Sequence, residues 1–97
     1  MRNFVATRPN DAFARYGLAM EQVKLGQFDD AIATFDGLLE LNPQYTAAYY
    51  QAARALVAAG QREHAKAMVA RGVSACEAKG DTHAREELLA LLTTEGL

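Results

Sequence analysis

The stretch that decides the fold is GQFDDAIATFDGLLELNPQYTAAYYQAARALVAAGQREHA, residues 26–65. It opens on Gly26-Gln27 and Ala31, and the same signal returns 34 residues later as Gly60-Gln61 and Ala65. Asn42-Pro43 lies between the two. Glycine ends helices because it accepts the left-handed backbone of a C-terminal cap, and proline cannot continue the helical hydrogen-bond ladder. Such punctuation on a fixed period predicts stacked helical hairpins.

Working outward, residues 9–42 laid on 43–76 give nine identities. They are Pro9/Pro43, Ala14/Ala48, Tyr16/Tyr50, Ala19/Ala53, Val23/Val57, Gly26/Gly60, Gln27/Gln61, Ala31/Ala65 and Ala33/Ala67. Alanine is abundant here, so its matches carry little weight. The Gly and Pro matches carry more, because they record backbone geometry rather than bulk.

Five helices are expected. The first runs from residue 11 or 12 to 25, with Asn10 or Asp11 as its cap and Gly26 as its stop. The second spans 28–41, with Asp29 and Asp30 at the positive end of its dipole. The third spans 45–59 and the fourth 62–79. In the fourth, Ala65, Met68, Val69, Gly72, Val73 and Cys76 form one apolar stripe. Gly80-Asp81-Thr82 breaks and re-caps the chain before a fifth helix at 83–93. No β-alternation occurs, so the class is all-α.

Composition narrows the function. Ninety-seven residues make one small domain. Ten basic and twelve acidic residues are interspersed, for a net charge of −2. No basic cluster marks a nucleic-acid surface or an anionic membrane as partner. No stretch approaches the roughly 20 apolar residues of a membrane span. The start, Met1-Arg2-Asn3-Phe4-Val5-Ala6, lacks the apolar run of a signal peptide, so a cytoplasmic location is the expectation. Cys76 stands alone, which rules out an internal disulfide.

Helix, Gly turn, helix and Asn-Pro on this period resemble the tetratricopeptide repeat (TPR). In the first repeat the matching residues are Leu18-Ala19, Gly26, Phe28, Ala31, Phe35, Leu38 and Leu41-Asn42-Pro43. In the second they are Tyr49, Ala52-Ala53, Gly60, Ala65, Val69 and Gly72. The resemblance implies a right-handed α–α superhelix of two hairpins with a fifth, solvating helix. Residues 1–97 then form a single domain: an N-terminal extension at 1–10, repeats at 12–45 and 46–79, and a capping helix at 82–93. Ala19, Ala31, Ala53 and Ala65 would let the helices of each hairpin approach closely. Two departures matter. Arg15 stands where the second repeat has Tyr49, so the array is expected to begin here. Glu77 replaces the closing Pro of the second repeat, so the fourth helix can run on for another turn.

The resemblance also implies a function, protein–protein interaction, and a place for it. The first helix of each hairpin would line a concave groove. That gives the stripes Phe13, Tyr16, Met20, Val23, Lys24 and Ala47, Tyr50, Gln51, Arg54, Val57, each on one helix face. Phe13, Tyr16, Met20, Lys24, Tyr50, Gln51 and Arg54 are the candidate ligand residues, for a peptide or partner helix carrying apolar side chains and an acidic group. In that role Tyr16→Ala and Tyr50→Ala cost little stability. The competing reading buries Phe13 and Met20 under the fifth helix or a dimer partner. Some family members grip a C-terminal carboxylate with Lys and Asn in this groove. Tyr16, Met20 and Gln51 stand at the corresponding positions, so that ligand is not expected.

Ala84, Leu88, Leu91 and Leu92 share one face of the fifth helix, and Leu89 lies off it. A homodimer through Leu88, Leu89 and Leu92 is a further expectation, and self-association without a peptide ligand is the alternative function. His64, His83 and Cys76 make no pair at helical spacing, and no phosphate loop or paired-carboxylate motif occurs. Neither catalysis nor a metal or other cofactor is expected.

Overall fold

A computed structural model describes residues 11–97. Five helices follow one another: α1 Ala12–Lys24, α2 Phe28–Leu41, α3 Thr46–Ala58, α4 Arg62–Lys79 and α5 Thr82–Thr94. No strand occurs among the described residues. The expectations on Pro9, Asn10 and the 1–10 extension lie outside them. No helix here is long and apolar enough to cross a membrane.

Local chemistry accounts for the boundaries. Asp11 caps α1, its carboxylate accepting from the Ala14 N–H at 3.2 Å. Asp81 caps α5 in the same way, accepting from the Ala84 N–H at 3.1 Å. Gly26 and Gly60 adopt φ of 76° and 79°, where an L side chain would strain the backbone. Just beyond them, the Gln27 and Gln61 N–H groups donate back to the carbonyls of Gln22 and Leu56, both at 2.8 Å. These paired bonds satisfy carbonyls that each helix end would otherwise leave open. Asn42 makes the other turn, its side chain accepting from the Gln44 N–H at 3.1 Å. With no proline to close it, α4 is 18 residues long against 14 for α2, one turn more.

The helices pair as two hairpins, α1 with α2 and α3 with α4, and α5 packs on α4. Contacts also run from α1 to α3 and from α3 to α5, whereas α2 and α4 do not pack on each other. One layer of three helices is therefore closed and the other spread, which curves the molecule with α1, α3 and α5 inside. Phe35, Leu38, Leu56 and Met68 are fully buried between the layers, and Ala19, Ala31, Ala53 and Ala65 are sealed where helices meet. Gly72 marks the tightest approach. A Cβ there would stand 2.6 Å from Tyr49 Cβ and 2.7 Å from Leu88 Cδ1.

The last contact corrects the expectation for Leu88. Its side chain is 0% exposed and belongs to the core of its own chain, so it offers nothing to a dimer partner. Leu92 is half-buried and Leu89 remains 36% exposed. Polar bonds fasten α5 as well. The Thr46 hydroxyl donates to Asp81 Oδ2 at 2.7 Å. Arg62 donates from the start of α4 to the carbonyls of Glu95 and Gly96 beyond the end of α5.

Candidate functional site

The inner layer presents α1 and α3 side by side, and the expected site residues fall on it. On α1, Phe13 is 71% exposed, Lys24 is exposed, and Tyr16, Met20 and Val23 are half-buried. On α3, Ala47 and Arg54 are exposed, and Tyr50, Gln51 and Val57 are half-buried. α1 and α5 do not pack on each other, so α5 is not the cover for Phe13 and Met20; a dimer partner is the other cover that the competing reading names.

Two recesses open here. One of about 680 Å³ has its described lining on α1, with Phe13, Tyr16, Gly17, Met20, Val23 and Lys24 among it. The other, of about 320 Å³, lies between the hairpins and is bounded by Met20, Val23, Phe28, Gln51, Arg54 and Ala58. Met20 and Val23 belong to both, so they form the ridge between two depressions. Tyr50 lines neither. It serves as a platform, with the Arg54 guanidinium carbon 5.9 Å from its ring centroid. Neither Lys24 nor Arg54 has an ion-pair partner among the described residues.

Tyr16 is held more firmly than a surface aromatic. Its ring stacks on Tyr45 at 5.3 Å between centroids and 29° between planes. It also meets Phe35 edge-on at 6.2 Å and 64°. Burial raises the Tyr16 hydroxyl pKa above its ordinary value, a side-chain hydrogen bond with Gln51 lowers it, and the negative charge of Glu87 raises it again. The Gln51 side chain of α3 thus bonds this phenol, and the Glu87 charge of α5 acts on it without contact. Tyr45 and Glu87 act on Tyr16, and Phe28 lines the smaller recess, although the periodicity selects none of them for the groove. Tyr45 precedes α3 and Phe28 opens α2, so neither lies on an expected groove stripe. Glu87 comes from the helix outside the repeats.

The other chemical candidates stand apart. Cys76 is buried, and burial pushes its thiol pKa up, which disfavours the reactive thiolate. His83 lies 3.7 Å from Glu87 on an exposed turn of α5. His64 contacts Gln61 at the start of α4. Among the described residues no group of three His, Cys, Asp or Glu side chains is placed to hold a metal.

Residues 22–75, more than half of the chain, match the tetratricopeptide repeat family. The chain is similar to the solution structure of a tetratricopeptide repeat domain protein from Salinibacter ruber. Identity is 32% and the TM-score 0.82, over 92% of this chain and 91% of that one. A crystal structure of such a domain from the same organism gives 27% identity and a TM-score of 0.80, over 89% and 97% of the two chains. A solution structure from Bordetella parapertussis shares the fold at 23% identity, with a TM-score of 0.85 over 98% of this chain and 83% of that one. No curated protein matches the sequence.

Proposed function

The chain belongs to the tetratricopeptide repeat family, and from that premise we propose that it is a non-enzymatic adaptor or scaffold whose α1–α3 face holds a segment of another protein. The family's general role is protein–protein interaction. In this reading the repeats span 12–45 and 46–79, the capping helix spans 82–93, and 1–10 extend a single domain. The protein acts in the cytoplasm and uses no cofactor.

One observation carries the reading. An apolar ridge of Met20 and Val23 separates two open recesses, and the cations Lys24 and Arg54 beside it have no ion-pair partner among the described residues. Soluble proteins keep contiguous apolar surface small unless it is used. A peptide or short helix with apolar side chains for the recesses and a carboxylate for Arg54 fits that arrangement. Phe13, Tyr16, Met20, Lys24, Tyr50, Gln51 and Arg54 are the proposed contact residues. A second reading, an assembly element with no peptide ligand, draws on the exposed Leu89 of α5.

Selection from a random peptide library on the immobilised protein tests the proposal. Enriched peptides combine apolar and acidic residues, and Arg54→Glu weakens them by at least about tenfold, a loss of about 1.4 kcal/mol. Enrichment of no sequence class, or equal binding to wild type and Arg54→Glu, overturns it.

A further inference from the structure

The inside of the curve has three rows, and α5 supplies the third. α1, α3 and α5 are each 13 residues long, and α3 packs between the other two. Counted from the helix starts, His83 of α5 corresponds to Phe13 and Ala47, and Glu87 corresponds to Gly17 and Gln51. Gly17 lines the larger recess and Gln51 the smaller, so Glu87 continues their line onto the third helix. His83 and Glu87 are both exposed. α2 and α4 pack on a different side of α1 and α3, through Arg15 and Tyr49. A helix placed on α5 as α4 is placed on α3 would therefore leave this row open.

The chemistry changes from row to row. α1 carries the apolar ridge, α3 carries the cation Arg54, and α5 carries the anion Glu87. Little within the chain neutralises Glu87. Its ion-pair contact among the described residues is His83 at 3.7 Å, which is charged only when the imidazole is protonated. Arg85, the one Arg or Lys of α5, turns instead to Glu77 of α4 at 3.1 Å. The Glu87 carboxylate also acts on the groove. Burial raises the Tyr16 pKa most, and the Glu87 charge raises it further from across α3.

We propose that the ligand face continues onto α5, where Glu87 takes a basic side chain of the same peptide whose carboxylate meets Arg54. The inference rests on the peptide-binding reading of the α1–α3 face and adds the sign and spacing of a second charge. Neighbouring helix axes stand about 8–10 Å apart. Arg54 is three positions further along α3 than Glu87 is along α5, which adds about 4.5 Å of axial rise. The two charges are thus about 10 Å apart. An extended peptide covers about 3.3 Å per residue, so its basic residue follows or precedes its acidic one by about three positions. Complementary charges of this kind fix the register of a ligand more than they raise its affinity.

Selections from one random peptide library on wild type and on Glu87→Lys test the inference. Wild type enriches apolar peptides with Lys or Arg about three residues from Asp or Glu. Glu87→Lys keeps the apolar and acidic positions and exchanges the basic residue for a second acidic one. A synthetic peptide of the wild-type class binds Glu87→Lys at least about tenfold more weakly, and Glu87→Gln falls between the two. Replacing the basic residue of that peptide with Glu restores its binding to Glu87→Lys. Glu40→Lys, at an exposed position of α2, binds as wild type does. Apolar–acidic peptides with no basic position, or the same selection on wild type and Glu87→Lys, overturn this inference and leave the α1–α3 groove standing. Enrichment of no sequence class overturns both.

Discussion

Tyr16 shows how one side chain serves packing and surface at once. One part of its ring stacks on Tyr45 and abuts Phe35, and the rest borders the larger recess. Aromatic pairs add about 0.5–1.5 kcal/mol beyond the area they bury. Tyr50 has no such partner in the core and lies under Arg54 instead. The expectation that both tyrosines are cheap to remove therefore divides. Tyr16→Ala costs about 2–3 kcal/mol, whereas Tyr50→Ala costs below about 1 kcal/mol. Urea unfolding of the two variants checks this, and equal losses would contradict it. Tyr49 is a third case. It is buried, its hydroxyl donates to the Pro43 carbonyl at 2.7 Å, and its ring lies 5.8 Å from the Arg71 guanidinium carbon. Tyr49 is core, whereas Tyr16 and Tyr50 are both half-buried at the core's edge and only Tyr16 has aromatic partners there, although all three are tyrosines on helices of the inner layer.

Helices in this chain meet through small residues. Ala31 on α2 and Ala65 on α4 occupy equivalent positions and are fully buried, whereas Ala78 is exposed in the last turn of α4. Extra methylenes in a packed contact force side chains off their rotamers or push the backbones apart. Ala31→Leu and Ala65→Leu each destabilise by about 1–3 kcal/mol, while Ala78→Leu stays within about 0.5 kcal/mol. Thermal melts of the three variants decide it, and similar losses would refute the hairpin register. Gly72 extends the principle to the junction of three helices, where even a methyl group meets Tyr49 Cβ.

At the scale of the molecule, α5 is joined to the second hairpin at both ends. Asp81 is the charged member of that junction. The Thr46 hydroxyl bond, the Ala84 N–H bond and the nearby charges of Lys79 and His83 hold its pKa below the ordinary carboxylate value, and partial desolvation opposes them. A depressed folded-state pKa contributes stability that is fully present above the ordinary carboxylate range. That contribution is lost as pH falls through the folded value. Asp81→Asn is therefore less stable than wild type at neutral pH, and the gap closes in acid. Paired urea melts along a pH series measure it, and a gap independent of pH would exclude Asp81 as its source. Arg62 holds the far end of α5 through the carbonyls of Glu95 and Gly96.

Read without coordinates, the chain already gives the all-α class, the five helices among the described residues with their boundaries to within a residue or two, and the hairpin register. Those features depend on local backbone chemistry: Gly26 and Gly60 as left-handed caps, Asn42-Pro43 as a stop, Asp81 as a cap, and alanines on a fixed period. It also selected the face on which the candidate residues lie, because positions three and four apart share a helix face. Packing between helices sets how far each residue on that face is buried and what it touches. Periodicity cannot separate a half-buried Tyr16 stacked on Tyr45 from a Tyr50 beneath an arginine, because Tyr45 lies in the turn before α3, off the helix faces that the spacing selects. Nor can it show that Leu88 is sealed against Gly72 while Leu89, its neighbour in sequence, is exposed. One residue turns a helix by about 100°, and the packing of α4 determines which side of α5 meets the core.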